Sequence, residues 1–191
     1  MARLILAWLI GASFALATAQ DSGEPDPADQ RIIHRISQAD LEMIVISLGH
    51  EIEARQNLGE VSLIARSDDG TLYLLIGSAC EVDAAASAGA DPLCYGLNMQ
   101  VRYGADEHVT LKKINAVNLA RVAVTVWRAD DTLGISRFVI LDGGQSVANI
   151  KENLFNLLGI APYVVDTMWP PVDLADASSG DEVITLSETG E

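Results

Sequence analysis

The stretch that decides the fold is Leu111–Gly144, LKKINAVNLARVAVTVWRADDTLGISRFVILDGG. Its first residues have helical character, and the β-branched run 122–128 predicts a strand. Residues 129–132, Ala-Asp-Asp-Thr, are typical of a tight turn, because Asp favours turns for backbone reasons. Residues 133–141 then return as the partner strand. The segment 142–144, Asp-Gly-Gly, breaks that strand, so the stretch predicts a helix, a β-hairpin and an exit into another helix.

Toward the N-terminus, the sequence predicts one helix followed by four strands. Ser37 and Asp40 have the spacing of a capping box, and apolar residues follow at i, i+3, i+4 and i+7 from Leu41. Segments of strand character come next, at 51–56, 61–65, 72–76 and about 95–103. The segment 68–70, Asp-Asp-Gly, predicts a hairpin turn, and the segment 81–93, rich in Ala, Gly and Asp, predicts a loop.

Toward the C-terminus, Ser146 is predicted to cap a third helix. The apolar face of this helix is Val147, Ile150, Leu154, Leu157 and Leu158. Gly159 and Pro162 are predicted to end or kink it, with a further helical piece reaching Met168. Together these elements predict an α+β fold in which an antiparallel sheet is packed by about three helices.

Length and charge bound the domain organisation and the partners. The chain has 191 residues, which suits one domain, and a formal net charge of −15. Phosphate binding needs clustered Lys and Arg, so this charge argues against nucleic acid and against an anionic membrane surface. The segment 31–169 carries 17 acidic and 11 basic residues, a net of −6. We predict a disordered acidic and Pro-rich lead at 20–36, a domain at 37–169 and a disordered acidic tail at 170–191.

The first 19 residues have the pattern of a secretory signal peptide. Arg3 supplies a positive start, an apolar run follows, and Ala-Thr-Ala ends at Ala19 before Gln20. The alternative is a membrane anchor, but the run is shorter than the roughly 20 residues that a spanning helix needs. We therefore predict cleavage between Ala19 and Gln20, no stable membrane insertion afterwards, and a periplasmic or secreted protein.

The two cysteines, Cys80 and Cys94, are predicted to form a disulfide. An even cysteine count in an exported chain favours such a bond, and the alternative is a pair of buried free thiols. A zinc site has little support, because the histidines are scattered and the sequence contains no C-x-x-C. We predict no metal and no cofactor.

The helix that opens the deciding stretch carries two amides. At 100° per residue, Asn118 lies on the predicted apolar face with Leu111, Ile114 and Val122, and Asn115 lies on its flank. A buried amide needs hydrogen-bond partners. One interpretation is that these amides tie the helix to neighbouring backbone, and the other is that they contact a polar ligand.

Catalytic patterns in the sequence are incomplete. The run GQSVA around Ser146 approaches a serine-hydrolase elbow but lacks the last Gly, so a helix-capping role is favoured. Asp130 and Asp131 form a carboxylate pair, although a turn explains them better. His50 and Glu51 begin a zinc-protease pattern that Ala54 does not complete.

With these residues placed, the segment 37–168 resembles the YbjN domain family, also described as bacterial sensory transduction regulators. The shared features are Leu48-Gly49, the Gly-turn and apolar strand 70–76, the paired cysteines, the pattern Ile114-Asn115-x-x-Asn118 and the exit Leu141-Asp142-Gly143-Gly144. The chain departs from the family pattern at Ala116-Val117 and at Pro162.

The resemblance implies a fold like that of type III secretion chaperones, without an active site. It also implies a structural role for Asn115, Asn118, Gly143 and Gly144. The favoured hypothesis is a non-enzymatic envelope protein that binds another protein in a chaperone-like or regulatory role, with homodimer formation left open. The alternative is a small exported hydrolase that uses Ser146 or the carboxylate pair Asp130 and Asp131.

Overall fold

A computed structural model describes residues 26–55, 60–82 and 92–170 of the chain. The helices there are α1 (Pro27–Gln30), α2 (Gln38–Ser47), α3 (Leu111–Ala120) and α4 (Val147–Met168). The strands are β1 (Ile32–Ile33), β2 (Glu51–Arg55), β3 (Ser62–Arg66), β4 (Leu72–Glu81), β5 (Leu93–Gly104), β6 (Thr125–Ala129), β7 (Thr132–Ile140) and β8 (Gln145–Ser146). The predicted signal peptide, its Ala19–Gln20 cleavage site, most of the predicted loop and the tail beyond residue 170 lie outside the described residues.

Six of the strands form one antiparallel sheet in the order β2-β3-β4-β5-β7-β6, and β1 pairs with β8 separately. The hairpin in the deciding stretch is formed as predicted, because Asp130 and Asp131 connect β6 and β7 in a two-residue turn. Asp130 has φ +49°, a conformation that Asp tolerates better than most residues. The sheet and its helices confirm the predicted α+β class.

The core lies on one face of this sheet, where the helices pack. Strand residues at alternate positions point into it, for example Leu97 and Met99 of β5, both fully buried. From α4 the buried residues are Val147, Ile150, Leu154, Leu157, Ala161, Val164 and Met168. In the part of the chain that the structure describes, no helix covers the other face of the sheet, which carries the candidate site.

Helix α2 begins as its sequence predicts, and α4 is longer than expected. The Ser37 hydroxyl accepts from the Asp40 N–H, and an Asp40 carboxylate oxygen accepts from the Ser37 N–H, so the capping box is complete. Ser146 caps α4, but Pro162 neither ends nor divides that helix, which is assigned as one element to Met168. Buried positions continue at helical spacing beyond Pro162, so packing outweighs the roughly 3 kcal/mol cost of an internal proline.

The predicted lead at 20–36 is wrong over the part that the structure describes. From Asp26 onward the chain forms α1 and β1, and Ile33 and Ile36 are buried in the core. Ile36 also exchanges two backbone hydrogen bonds of 2.9 Å with Cys94. The folded unit therefore begins before Ser37, because two isoleucines at its start fill core positions that composition alone does not reveal.

Two expectations for the deciding stretch also need correction. Leu111 and Val122 are 74% and 89% exposed, and α3 instead buries Ile114 and Val117. The predicted strand at 122–128 begins only at Thr125, because a turn precedes it. The buried face of α3 is therefore rotated relative to the predicted face. Val122 lies beyond the end of the helix, so it cannot share the helical periodicity.

Strands β4 and β5 extend further than predicted, to Glu81 and back to Leu93, because the two strands stay paired past the disulfide.

Within the three described ranges, no helix is both long and apolar enough to cross a membrane.

Candidate functional site

Cys80 and Cys94 form a disulfide with an S–S distance of 2.06 Å. The two residues face each other directly across β4 and β5, with Cα atoms 3.9 Å apart, closer than the roughly 4.4–6.8 Å expected for a disulfide. On the backbone, the Cys94 N–H donates to the Ile36 carbonyl and the Cys94 carbonyl accepts from the Ile36 N–H, both at 2.9 Å. Gly77 makes room, because an added Cβ would lie 2.4 Å from the Cys94 Sγ.

The two family-motif amides have different environments. The Asn118 side chain donates to the Val126 carbonyl at 3.0 Å and accepts from the Val126 N–H at 2.7 Å. It therefore ties α3 to the edge of β6, which is the backbone-tying interpretation. Asn115 is exposed on the outer side of α3. The structure does not bring the two amides together into one site.

Gly143 and Gly144 lie in the turn between β7 and β8. Gly144 has φ +86°, which favours glycine, and its N–H donates to the Leu141 carbonyl at 2.7 Å. An added Cβ there would lie 2.8 Å from the ring of His34. Gly143 is exposed and has open space at its Cβ position. The requirement for glycine is thus strong at position 144 only.

The residues of the hydrolase alternative serve local structure. The Ser146 hydroxyl accepts from the Asn149 N–H at 3.1 Å, as a helix cap does. Asp130 and Asp131 are exposed turn residues. His50, from the incomplete zinc-protease pattern, pairs through Nδ1 with the hydroxyl of Tyr73 at 2.8 Å, and burial raises the pKa of that phenol.

One group of neighbouring residues has side chains of the kinds that bind metal ions. Asp106, Glu107 and His108 lie close enough together to share an ion, but all three are exposed. The Trp169 indole N–H donates to the Asp106 carboxylate and lowers its pKa, so this carboxylate anchors the end of α4.

A different feature distinguishes the uncovered face of the sheet: β7 extends beyond its edge neighbour β6. The β6–β7 register ends with Thr125 opposite Ser136, whereas β7 continues beside β5 to Ile140. The chain enters β6 from a turn over residues 121–124, in which the Val124 N–H donates to the Arg121 carbonyl at 3.2 Å. Residues 121–124 therefore do not pair with β7. We call residues 137–140 the β7 step.

Part of the backbone of the β7 step has no strand partner among the described residues. Leu141 donates its N–H to the Tyr95 carbonyl at 2.8 Å, which points Leu141 toward β5. Because this direction alternates along a strand, the N–H and C=O groups of Phe138 and Ile140 point away from β5, to the side of β6. They lie beyond the N-terminal end of β6, at Thr125. No strand of the described ranges pairs with this side of the step. Such an open edge is a template for another strand.

Large apolar side chains surround the step. Phe138 and Ile140 are 56% and 67% exposed on the uncovered sheet face, and Val122 stands beyond the end of β6. We call Val122, Phe138 and Ile140 the Phe138 surface. The Phe138 ring lies over Gly96, where an added Cβ would be 2.6 Å from the ring. A contiguous exposed apolar surface of this kind is typical of an interaction site.

Two grooves flank the Phe138 ring. The larger, of about 520 Å³, is lined by Ala79, Tyr95, Gly96, Phe138, Ile140 and Asp142. The smaller, of about 330 Å³, is lined by residues 122–125 and 136–138 and lies in the notch beside the step. Phe138 lines both grooves, so it forms the ridge between them.

Two buried oxygen atoms lie close to this ridge. The Ser78 hydroxyl and the Asn98 side-chain oxygen have no hydrogen-bond partner among the described residues. Asn98 is registered opposite Phe138, and the Ser78 Oγ lies 2.5 Å from the position of an added Cβ at Gly96. The base of the Phe138 surface therefore contains unsatisfied polar groups, which are uncommon in folded proteins.

Two arginines near the step have partners within the fold, and one acidic residue lines the larger groove. The Arg137 guanidinium donates to the Ala123 carbonyl and to Asn153, so it is committed within the fold. The Arg35 guanidinium lies over the Tyr95 ring at 5.6 Å. Asp142 is the charged residue among those lining the larger groove, which gives that groove an acidic end.

The arrangement combines backbone groups, apolar contacts and one charge, the features by which sheet edges recognise extended peptides. None of the sequence patterns described above predicts it. The signal is the uninterrupted apolar run 138–141 at the end of β7, where strict alternation would place polar residues at 138 and 140.

Comparison of the chain with protein-family models, with curated proteins and with solved structures finds no match. The resemblance to the YbjN family therefore stays a prediction from the sequence.

Proposed function

We propose that this chain is an exported, non-enzymatic binding module that holds another polypeptide in a chaperone-like or regulatory role in the cell envelope. The observation that carries the proposal is the Phe138 surface, with Phe138 and Ile140 more than half exposed beside a strand edge that no described strand pairs with. Exposed apolar side chains next to open backbone groups favour protein association over solvation alone.

Export is supported by the disulfide between Cys80 and Cys94, since such bonds persist mainly in oxidising compartments. The signal-peptide pattern before Gln20 points the same way. The YbjN resemblance agrees with a regulatory binding role.

Site-specific photocrosslinking in the native compartment tests the proposal. A photoreactive p-benzoylphenylalanine at position 138 is expected to give one reproducible protein adduct, whose identity mass spectrometry provides. The matched control places the same group at position 46, because Ile46 is 64% exposed on α2, which packs against β2 and β3 at the other end of the sheet. Purified partner and purified chain should then form a complex in solution.

Adducts that are equal at positions 138 and 46, or absent at both, would contradict the proposal. A broad hydrolase screen tests the alternative directly. Turnover that Ser146→Ala abolishes would replace the binding module with an enzyme, whereas Ser146→Ala is expected only to weaken the cap of α4.

A further inference from the structure

We infer that the partner binds by strand addition: an extended segment of another protein pairs with the backbone of Phe138 and Ile140. It would lie in the notch beside β7, beyond the N-terminal end of β6. This inference rests on the proposed function and specifies its geometry and chemistry. Backbone pairing at an exposed sheet edge is a general mode of peptide recognition, in which pockets for alternate side chains supply specificity.

The notch has room for such a strand. The smaller groove, about 330 Å³, lies between residues 122–125 and 136–138 and continues the line of β6. The outward-pointing N–H and C=O groups of two residues, Phe138 and Ile140, offer four hydrogen bonds to an incoming chain. A segment of about four residues matches the length of the step, at about 3.3 Å for each residue of a strand.

The outer edge of β6 is blocked, whereas the step is open. Asn118 takes both backbone groups of Val126 on the outer side of β6. A strand that approaches β6 itself would have to displace this amide. The β7 step has no such cap within the described residues, which makes it the favoured pairing position at this end of the sheet.

The side chains around the step define the chemistry of the segment. Alternate residues of an added strand would lie on the uncovered face, where Phe138, Ile140 and Val122 present apolar surface. Asp142 at the end of the larger groove favours a Lys or Arg at that end of the segment. The expected occupant is therefore an extended peptide with alternating apolar residues and basic flanking residues.

The net charge of the protein favours a basic segment over the two other candidate occupants, a second copy of the chain and the chain's own tail. Two copies of a chain with a net charge of −15 repel each other, and the tail 170–191 carries six acidic residues and no Lys or Arg. A basic partner is attracted by the same charge. We therefore favour an external basic segment over a second copy and over the tail of this chain.

The test uses a fluorescein-labelled, end-capped octapeptide of alternating valine and lysine, titrated into the purified full chain at low and moderate salt. Saturable binding is expected, and replacing lysine by glutamate in the probe should weaken it at least tenfold. Methylation of every second backbone nitrogen of the probe, on the pairing edge, should also weaken it at least tenfold. This second loss separates strand pairing from simple apolar or charge attraction and does not depend on the folding of a variant.

A protein variant provides the complementary measurement. Ile140→Pro removes the N–H that points to the open edge, while the hydrogen bonds to β5 at the neighbouring residues remain. We expect Ile140→Pro to weaken probe binding at least tenfold and Ile140→Val, which keeps the N–H, to change it less than twofold. Thermal melts establish that both variants are folded.

The inference is overturned if the methylated and unmethylated probes bind equally, or if the glutamate probe binds as well as the lysine probe. A dimer that Ile140→Pro disperses would identify a second copy as the occupant and overturn it. Competition of a free 171–191 peptide with the probe would do the same in favour of the tail. If the adduct at position 138 forms but methylation has no effect, the proposed function stands and strand addition falls.

Discussion

The side chain of Asn118 takes the place of a neighbouring strand at Val126, because it donates to the carbonyl and accepts from the N–H of the same residue. One amide thus makes both hydrogen bonds that an added strand would make there. This contact covers the edge of the sheet at β6 and joins α3 to it. It also explains why the open part of this edge lies at the β7 step.

Replacing Asn118 by leucine should destabilise the protein, because Val126 would keep an unsatisfied donor and acceptor. We expect a loss of about 1–3 kcal/mol in the free energy of unfolding. Urea unfolding followed by circular dichroism measures it. The control is Asn115→Leu on the exposed side of the same helix, which should change stability by less than about 0.5 kcal/mol. An Asn118→Leu variant as stable as the wild type would remove the structural role of this amide.

The disulfide should contribute substantially to stability. A bond that closes a loop of about 15 residues contributes roughly 3 kcal/mol in the chain-entropy model. The double variant Cys80→Ser, Cys94→Ser is expected to melt at a lower temperature than the oxidised protein, and reduction of the wild type should have a similar effect. Alkylation followed by non-reducing mass analysis of protein from its native compartment should detect no free thiol. Two alkylated cysteines would contradict both the bond and the case for export.

Gly134 should be intolerant of a side chain. It lies beneath the indole of Trp127, and an added Cβ would be 2.1 Å from two ring carbons. The Arg102 guanidinium, 5.8 Å from the ring centroid, packs over the same indole. Gly134→Ala is therefore expected to cost about 1–3 kcal/mol of stability. The matched control is Gly104→Ala, where the Cβ position is open, and equal melting temperatures for the two variants would contradict the prediction.

The capping box of α2 should make stability depend on pH. Burial raises the pKa of the Asp40 carboxyl, but hydrogen bonds from Ser37 and Arg31 outweigh it and hold the pKa below its ordinary value. A carboxyl whose folded pKa is lowered stabilises the protein above its unfolded pKa, roughly 3.9, and this contribution disappears as the pH falls through the folded pKa.

Asp40→Asn should therefore lower stability at neutral pH by about 1 kcal/mol, and the difference from wild type should shrink below about pH 4. Unfolding curves at several pH values measure it. Because Ser37→Ala removes the other half of the same cap, the double variant should lose less than the sum of the two single changes. A difference that is constant from neutral to acid pH would exclude the carboxylate as its source.

The mature chain is expected to begin at Gln20. The Ala-x-Ala pattern that ends at Ala19 follows a short apolar run, as at a signal-peptidase site. Intact-mass analysis of the exported protein measures the N-terminus. Protein in the envelope fraction that retains Met1 would indicate an anchor instead.

The sequence by itself determined the elements whose signals are local. The capping box at Ser37, the Asp130-Asp131 turn, the cap at Ser146 and the apolar stripe of α4 each depend on residues only a few positions apart. The disulfide was also predictable, because only two cysteines exist and export favours their pairing. Local backbone preferences and short-range spacing carry this information.

Only the tertiary structure decided the candidate site. The open backbone edge at Phe138 and Ile140 depends on where β6 begins, and β6 begins only at Thr125 because a turn follows α3. The apolar run at 138–141 predicts burial on both faces, whereas among the described residues no helix covers the sheet face with Phe138 and Ile140 and no strand pairs with the outer side of the β7 step. Asn118 likewise acquires its role from the position of Val126 across the α3–β6 contact. Burial and edge pairing depend on residues distant in sequence, so the pattern of one segment cannot specify them.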